Sequence, residues 1–176
     1  MYKFIAFDLD GTLVNTFPYI LSSYKYALVQ VYGKAIESED SIKSKIGKPI
    51  AEFFKDYPEK DRQRLYELYS TNNDAIQSKG VPFFSGVKEM LKTLKENVKV
   101  GLVTSKRRKP LEEFLIKEKL DNFFDVVVAK EDTVLNKPNG EPIEKAIELA
   151  GVTAKDALYV GDAKYDVLCA HNANVD

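Results

Sequence analysis

Tryptophan is missing from this chain of 176 residues, and there is a single cysteine, Cys169, and a single histidine, His171. One cysteine excludes an internal disulfide and suits a reducing compartment. Cys169 reads as a small apolar residue on a helix, and His171, away from every motif, as a helix-surface residue. An excess of one charge sign is also lacking. Lys and Arg number 26 against 27 Asp and Glu, for a net charge of -1, so no bulk field draws nucleic acid or an anionic membrane. No apolar run approaches the length of a membrane span. The acidic motif that begins at residue 8 argues against a secretory leader. These absences predict a cytoplasmic protein with neither a membrane nor a nucleic-acid partner. Internal repeats and low-complexity linkers are likewise not found. What remains, 44% hydrophobic and 30% charged residues, is a globular composition, long enough for one domain or a domain with a modest insertion.

The informative stretch is K-F-I-A-F-D-L-D-G-T-L-V-N-T, Lys3 to Thr16. A short apolar run, Phe4 to Phe7, leads into Asp8, Asp10, Gly11 and Thr12. Such a run reads as a strand buried on both faces. Strands of this kind build parallel α/β sheets, which place ligand sites at their carboxyl ends. Side chains alternate along a strand, so Asp8 and Asp10 point the same way. Two carboxylates this close repel each other unless a cation lies between them. A hard divalent ion such as Mg2+, which takes one or two carboxylates beside substrate phosphate, is the natural partner. One aspartate can then attack phosphorus while the other protonates the leaving oxygen and later activates water.

Along the chain, Thr16 is expected to cap a helix that carries Pro18 in its first turn and ends at Gly33. A short helix opens at Ser38, and Ile50, Phe53 and Phe54 follow the break at Gly47 and Pro49. A longer helix from about Glu59 carries Leu65, Leu68, Tyr69 and Ile76 on one stripe. Residues 15–82 are thus expected to be helical throughout, interrupting a sheet. Past Pro82, strands at Val98–Val103, Asp125–Ala129 and Ala157–Val160 alternate with helices, which predicts right-handed crossovers and a doubly wound parallel sheet.

Each later strand ends in polar residues. Thr104 and Ser105 can donate to phosphoryl oxygens. Lys137, in L-N-K-P-N-G-E-P-I, is a compact charge suited to screening a carboxylate and a phosphate. The fourth strand closes in Y-V-G-D-A-K-Y-D, with Asp162 and Asp166 four residues apart.

D-L-D-G-T-L-V resembles the first motif of the haloacid dehalogenase-like hydrolase superfamily, D-x-D-G-T. Thr104, Lys137 and G-D-x-x-x-D at 161–166 resemble its second, third and fourth. Lys-Pro ahead of E-P-I is similar to phosphoglycolate-phosphatase-like and pyrophosphatase-like members. The resemblance implies an α/β core, residues 1–14 and 83–176, with residues 15–82 as an inserted α-helical cap. It implies an aspartyl-phosphate mechanism, with Asp8 as nucleophile, Asp10 as acid/base, and Thr104 and Lys137 on the phosphoryl group. Mg2+ would rest on Asp8, the Asp10 backbone carbonyl and Asp162, with Asp166 on its waters or steadying Lys137. Gly11, Thr12 and Ser105 would line the phosphate site. In capped members cap residues set specificity, and the loop with Lys45, Gly47 and Lys48 is the candidate here. The cap is nearly neutral, so a small phosphorylated metabolite is expected rather than a polyanion.

Asp10 disfavours haloacid dehalogenases and phosphonatases. A phosphatase for phosphoglycolate-like esters or pyrophosphate is the first expectation. A β-phosphoglucomutase-like mutase and a non-catalytic binding protein are the alternatives, and the oligomeric state is left open. The basic run Lys106-Arg107-Arg108-Lys109 is expected to raise the potential near the phosphate, with Arg107 and Arg108 affecting KM. Asn15, Asn139-Gly140 and Ala163 depart from common family residues. Relatives typically continue past the position of Asp176 with a further strand and helix, so a strand beside the fourth strand's edge is expected to be missing.

Overall fold

The computed structural model describes residues 1–46 and 50–176. Four parallel strands, β1 Phe4–Phe7, β2 Lys99–Val103, β3 Val126–Val128 and β4 Ala157–Val160, form one sheet in the order β3-β2-β1-β4. The apolar run that opens the chain is therefore central, paired on one side with β2 and on the other with β4. Phe7 sits level with Leu102 and with Val160. Three strands thus deliver the residues that follow them to one height at the carboxyl edge. On the outer side of β4, the Tyr159 N–H donates to the Asp176 carbonyl at 2.8 Å.

β3 is shorter than the sequence predicts. At its start the Asp125 N–H still donates to the Val100 carbonyl at 2.8 Å, but the Val100 N–H is taken by the Asp125 carboxylate, also at 2.8 Å, instead of by a backbone carbonyl. Gly101 lies within β2 because a Cβ there would stand 2.4 Å from the Phe4 ring.

Helices α5 Val87–Lys95, α6 Arg108–Lys117, α7 Glu141–Ala150 and α8 Lys164–Asn172 alternate with the strands. Phe4, Ala6, Val126 and Val128 of the sheet share a core with Ile143, Ala146 and Ala150 of α7 and with Cys169 and Ala170 of α8. The Cys169 thiol donates to the Asn139 carbonyl at 2.9 Å, and burial pushes it up to about 11. His171 is exposed on α8. This is an α/β fold with a parallel sheet and an inserted helical cap domain.

The chain divides into two compact units, residues 1–15 with 82–176, and residues 16–81. The second is built from α1 Phe17–Tyr32, α2 Glu39–Lys43, α3 Ile50–Phe53 and α4 Glu59–Gln77. Its core gathers Tyr24, Ala27, Leu28, Ile42, Phe53, Phe54, Leu65 and Tyr69, with Tyr24 stacked on Phe54 at 4.8 Å. Ser38 caps α2 by accepting the Ser41 N–H at 3.3 Å. Thr16 does not cap α1 as expected. Its backbone is already helical, φ -87° and ψ -8°, whereas a capping residue needs extended backbone to turn its oxygen toward the first amides. On α4 the buried stripe runs through Leu65, Tyr69 and Gln77, and Ile76 is only half-buried.

Candidate active site

Asp8 follows the last residue of β1, and its N–H continues the ladder to the Val160 carbonyl at 2.9 Å. The strand hydrogen bonds on both sides fix the backbone that carries the carboxylate. Asp8, Lys137 and Asp166 are all buried. The Lys137 ammonium stands 2.7 Å from Asp8 Oδ1 and 2.7 Å from Asp166 Oδ1, and it also donates to the Tyr159 hydroxyl. That hydroxyl lies 3.0 Å from the Val103 carbonyl and 3.1 Å from Asp166 Oδ1. The other Asp166 oxygen accepts the Ala163 N–H at 3.0 Å, which ties the start of α8 to the lysine. Lys137 precedes Pro138 through a cis peptide.

Asp162, after β4, is the solvent-facing member of the group. It accepts a hydrogen bond from the Thr12 hydroxyl at 3.0 Å. Gly11 makes this approach possible: its φ is +96°, and a Cβ would fall 2.5 Å from Asp162 Oδ2. Only glycine tolerates that conformation without strain. Asp162 could have been a simple helix cap, but the cap position of α8 is Ala163.

Carboxylate oxygens of Asp8, Asp162 and Asp166 lie within 4.8 Å of one another. Three carboxylates against one ammonium leave a formal charge of about -2 on this half-buried cluster. Burial, aided by the charges of Asp166 and Asp10 and opposed by Lys137, pushes the Asp8 carboxyl up to about 7. Burial opposes the Lys137 charge, but Asp8 and Asp166 outweigh it and hold the ammonium above its ordinary value. Partial burial, then the Asp166 charge, raises Asp162 as well. A hard, oxygen-only donor set with this charge deficit fits a divalent cation of the Mg2+ type.

Asp10 does not join the three carboxylates through its side chain. Its oxygens lie 3.3 and 3.4 Å from the Lys106 ammonium. Thr104 is buried at the end of β2 and accepts the Lys106 N–H on its hydroxyl at 3.1 Å; Ser105 is exposed. Lys45 lies in the helical unit, where its ammonium pairs with Glu37 at 2.6 Å and stands over the rings of Tyr24 and Tyr57. Gly47 and Lys48 lie outside the described residues.

Two features of the site escape the sequence reading. Lys106 is expected there only as part of a basic run raising the potential near the phosphate, and its pairing with Asp10 is missed, although its position two residues after Thr104 was a usable signal. Tyr159 looks like core, the one clue being a phenol in a strand otherwise made of apolar residues. Arg108 has a different occupation from the one expected: it pairs with Asp132 and donates its N–H to Glu131 at 2.7 Å, bracing the segment after β3.

The sequence profile of a family described as haloacid dehalogenase-like hydrolase matches residues 5–176. Pyrophosphatase PpaX of Halalkalibacterium halodurans is 37% identical over 172 residues, 97% of this chain and 80% of its own length. Pyrophosphatase PpaX of Bacillus cereus is 37% identical over 170 residues, 96% of this chain and 78% of its own. A solved structure of a predicted phosphoglycolate phosphatase from Haemophilus somnus superposes with a TM-score of 0.86 at 26% identity, covering 99% of this chain and 83% of that one.

Proposed function

The chain belongs to the haloacid dehalogenase-like hydrolase family, and on that premise we propose that it is a Mg2+-dependent phosphatase working through an aspartyl-phosphate. The observation that carries this reading is the buried Lys137 bridge between Asp8 and Asp166, with Asp162 completing an acidic trio at the mouth of the sheet. It supports the reading because one ammonium and three carboxylates meet at one point, as a nucleophile, its screening cation and a metal-binding donor set would have to.

In this reading an Asp8 oxygen attacks phosphorus, the bond from phosphorus to the leaving oxygen breaks, and Asp10 gives its proton to that oxygen. Asp10 then takes a proton from a water that attacks the same phosphorus, releasing phosphate and restoring the Asp8 carboxylate. Lys137 and the Thr104 hydroxyl donate to the phosphoryl oxygens, where negative charge spreads as bonds change. Gly11, Thr12 and Ser105 sit at the same strand ends and complete the phosphate cradle. Asp8, Asp162, Asp166 and the Asp10 backbone carbonyl would hold Mg2+, which screens the nucleophile from the phosphate and polarises its oxygens. The substrate is pyrophosphate or a small phosphomonoester of the phosphoglycolate kind, with the 37% identity to pyrophosphatases favouring the former.

The test is phosphate release from pyrophosphate and small phosphoesters with Mg2+ or with chelator, for the wild type and Asp8→Asn. Release that disappears with chelator and falls by at least about 10³-fold in the variant supports the reading. Release that survives Asp8→Asn overturns it.

A further inference from the structure

The contact between Lys106 and Asp10 is absent from the mechanism above, and it is a built contact. The Lys106 N–H is held by the Thr104 hydroxyl at 3.1 Å, and its carbonyl accepts the Lys130 N–H at 3.0 Å. The residue is thereby pinned between the end of β2 and the segment after β3. From there the side chain folds inward, and only 12% of it is exposed. A lysine with no task keeps its strongly hydrated ammonium in water. Its neighbours in the basic run behave differently: Arg108 turns to Asp132, and Lys109 is exposed.

We propose that Lys106 is a specificity-determining residue that selects substrates whose leaving portion carries its own negative charge, a second phosphate or a carboxylate close to the scissile oxygen. The proposal rests on the reading that Asp10 meets the leaving oxygen. An ammonium 3.3 Å from Asp10 then stands on the leaving side, within about two hydrogen-bond lengths, ~6 Å, of that oxygen. An ammonium has three donors, so pairing with Asp10 does not by itself bar Lys106 from a substrate oxygen. When pyrophosphate is cleaved, charge grows on the departing phosphate, and a fixed cation in a partly dehydrated site stabilises it far better than water does. An uncharged alkyl leaving portion offers Lys106 nothing to bind. Lys106 therefore acts on the difference between substrates, a property that simple support of the fold does not have.

The test compares wild type, Lys106→Ala and Lys106→Arg on pyrophosphate and on ethyl phosphate with Mg2+, with thermal melts to verify folding. In Lys106→Ala the ratio of kcat/KM for pyrophosphate to that for ethyl phosphate should fall about 10- to 100-fold, the range of a charged hydrogen bond. Lys106→Arg should restore most of the ratio. The Ki for methylenediphosphonate relative to ethylphosphonate should rise by a similar factor in Lys106→Ala, a readout that needs no turnover. If Lys106→Ala does not fold, Lys106→Met keeps the stem and serves for the same ratios. Ratios within about threefold of wild type in the neutral variant overturn the proposal, whatever the absolute rates. Should wild type release no phosphate, or Asp8→Asn release it normally, the phosphatase reading fails on its own and the Ki ratio still decides the role of Lys106.

Discussion

Replacing Lys137 by Met should destabilise the metal-free protein severely and make it depend on a divalent cation for its fold. The ammonium touches two buried carboxylates at 2.7 Å each, so its removal leaves both without their cation. Breaking a buried ion pair in this one-sided way costs about 3–5 kcal/mol. Met fills much of the volume of the lysine stem, so cavity formation adds little. In a chain of this size about 2–4 °C of Tm accompanies each kcal/mol, which gives a fall of roughly 6–20 °C in EDTA. The formal charge on the cluster goes from about -2 to about -3, and bound Mg2+ then relieves a larger repulsion than in the wild type. At a hundred times Kd, ligand binding contributes about 2.7 kcal/mol, so a gain near 5–10 °C should return with saturating Mg2+, exceeding the wild-type gain. The assay is scanning calorimetry of both proteins with EDTA and across a Mg2+ series. A metal-free variant that melts within about 2 °C of wild type, or equal Mg2+ gains in the two proteins, would show that the bridge does not compensate the carboxylates.

Two further outcomes follow from other contacts. Gly11→Ala must place a Cβ 2.5 Å from Asp162 Oδ2 at a φ of +96°; a loss of about 1–3 kcal/mol and weaker Mg2+ binding by calorimetric titration are expected, and unchanged values for both would contradict the tight turn. In the helical unit, burial opposes ionisation of Glu37, but hydrogen bonds from Lys45, Ser41 and Tyr57 hold its carboxyl down at about 2. A carboxylate lowered on folding contributes stability above its unfolded value, near 4.3, and loses it as pH falls toward 2. Glu37→Gln should thus cost about 1 kcal/mol at neutral pH and flatten the acid loss between pH 4.5 and 2 by far-ultraviolet circular dichroism; parallel acid profiles would argue against the assignment.

Much of the fold is legible in the sequence because the two periodicities are strong. The β1 and β4 runs are short and almost wholly apolar, and α1 is closed by Gly33 in the left-handed conformation that glycine favours. Legibility fails where a side chain displaces a backbone rule. The Asp125 carboxylate takes the place of a ladder acceptor at the start of β3, and Thr16 is helical where a cap would be extended. At the site, residue types announce the acids because carboxylates at the ends of apolar strands are conspicuous. The partners of those acids are harder to read. Lys106 and Lys45 are lysines near motifs or loops, and only folding assigns the first to Asp10 and the second to Glu37, whereas a place for Lys137 beside Asp8 and Asp166 is among the expectations the family resemblance carries. Charge pairing at long sequence separation has no local signature.

The matched level of β1 with β2 and β4 also bears on how such a chain can change over evolutionary time. Phe7 is held opposite Leu102 and Val160 at once, so one residue gained or lost inside β1 would turn Asp8 to the other face of the sheet and misalign it with two neighbours together. Segments that leave the carboxyl edge carry no such double constraint. The 66 residues from Thr16 to Val81 depart from that edge and return to it without altering the registration of a single strand. Length can therefore be added between strands while the strands keep their count and Asp8 keeps its place at the end of β1.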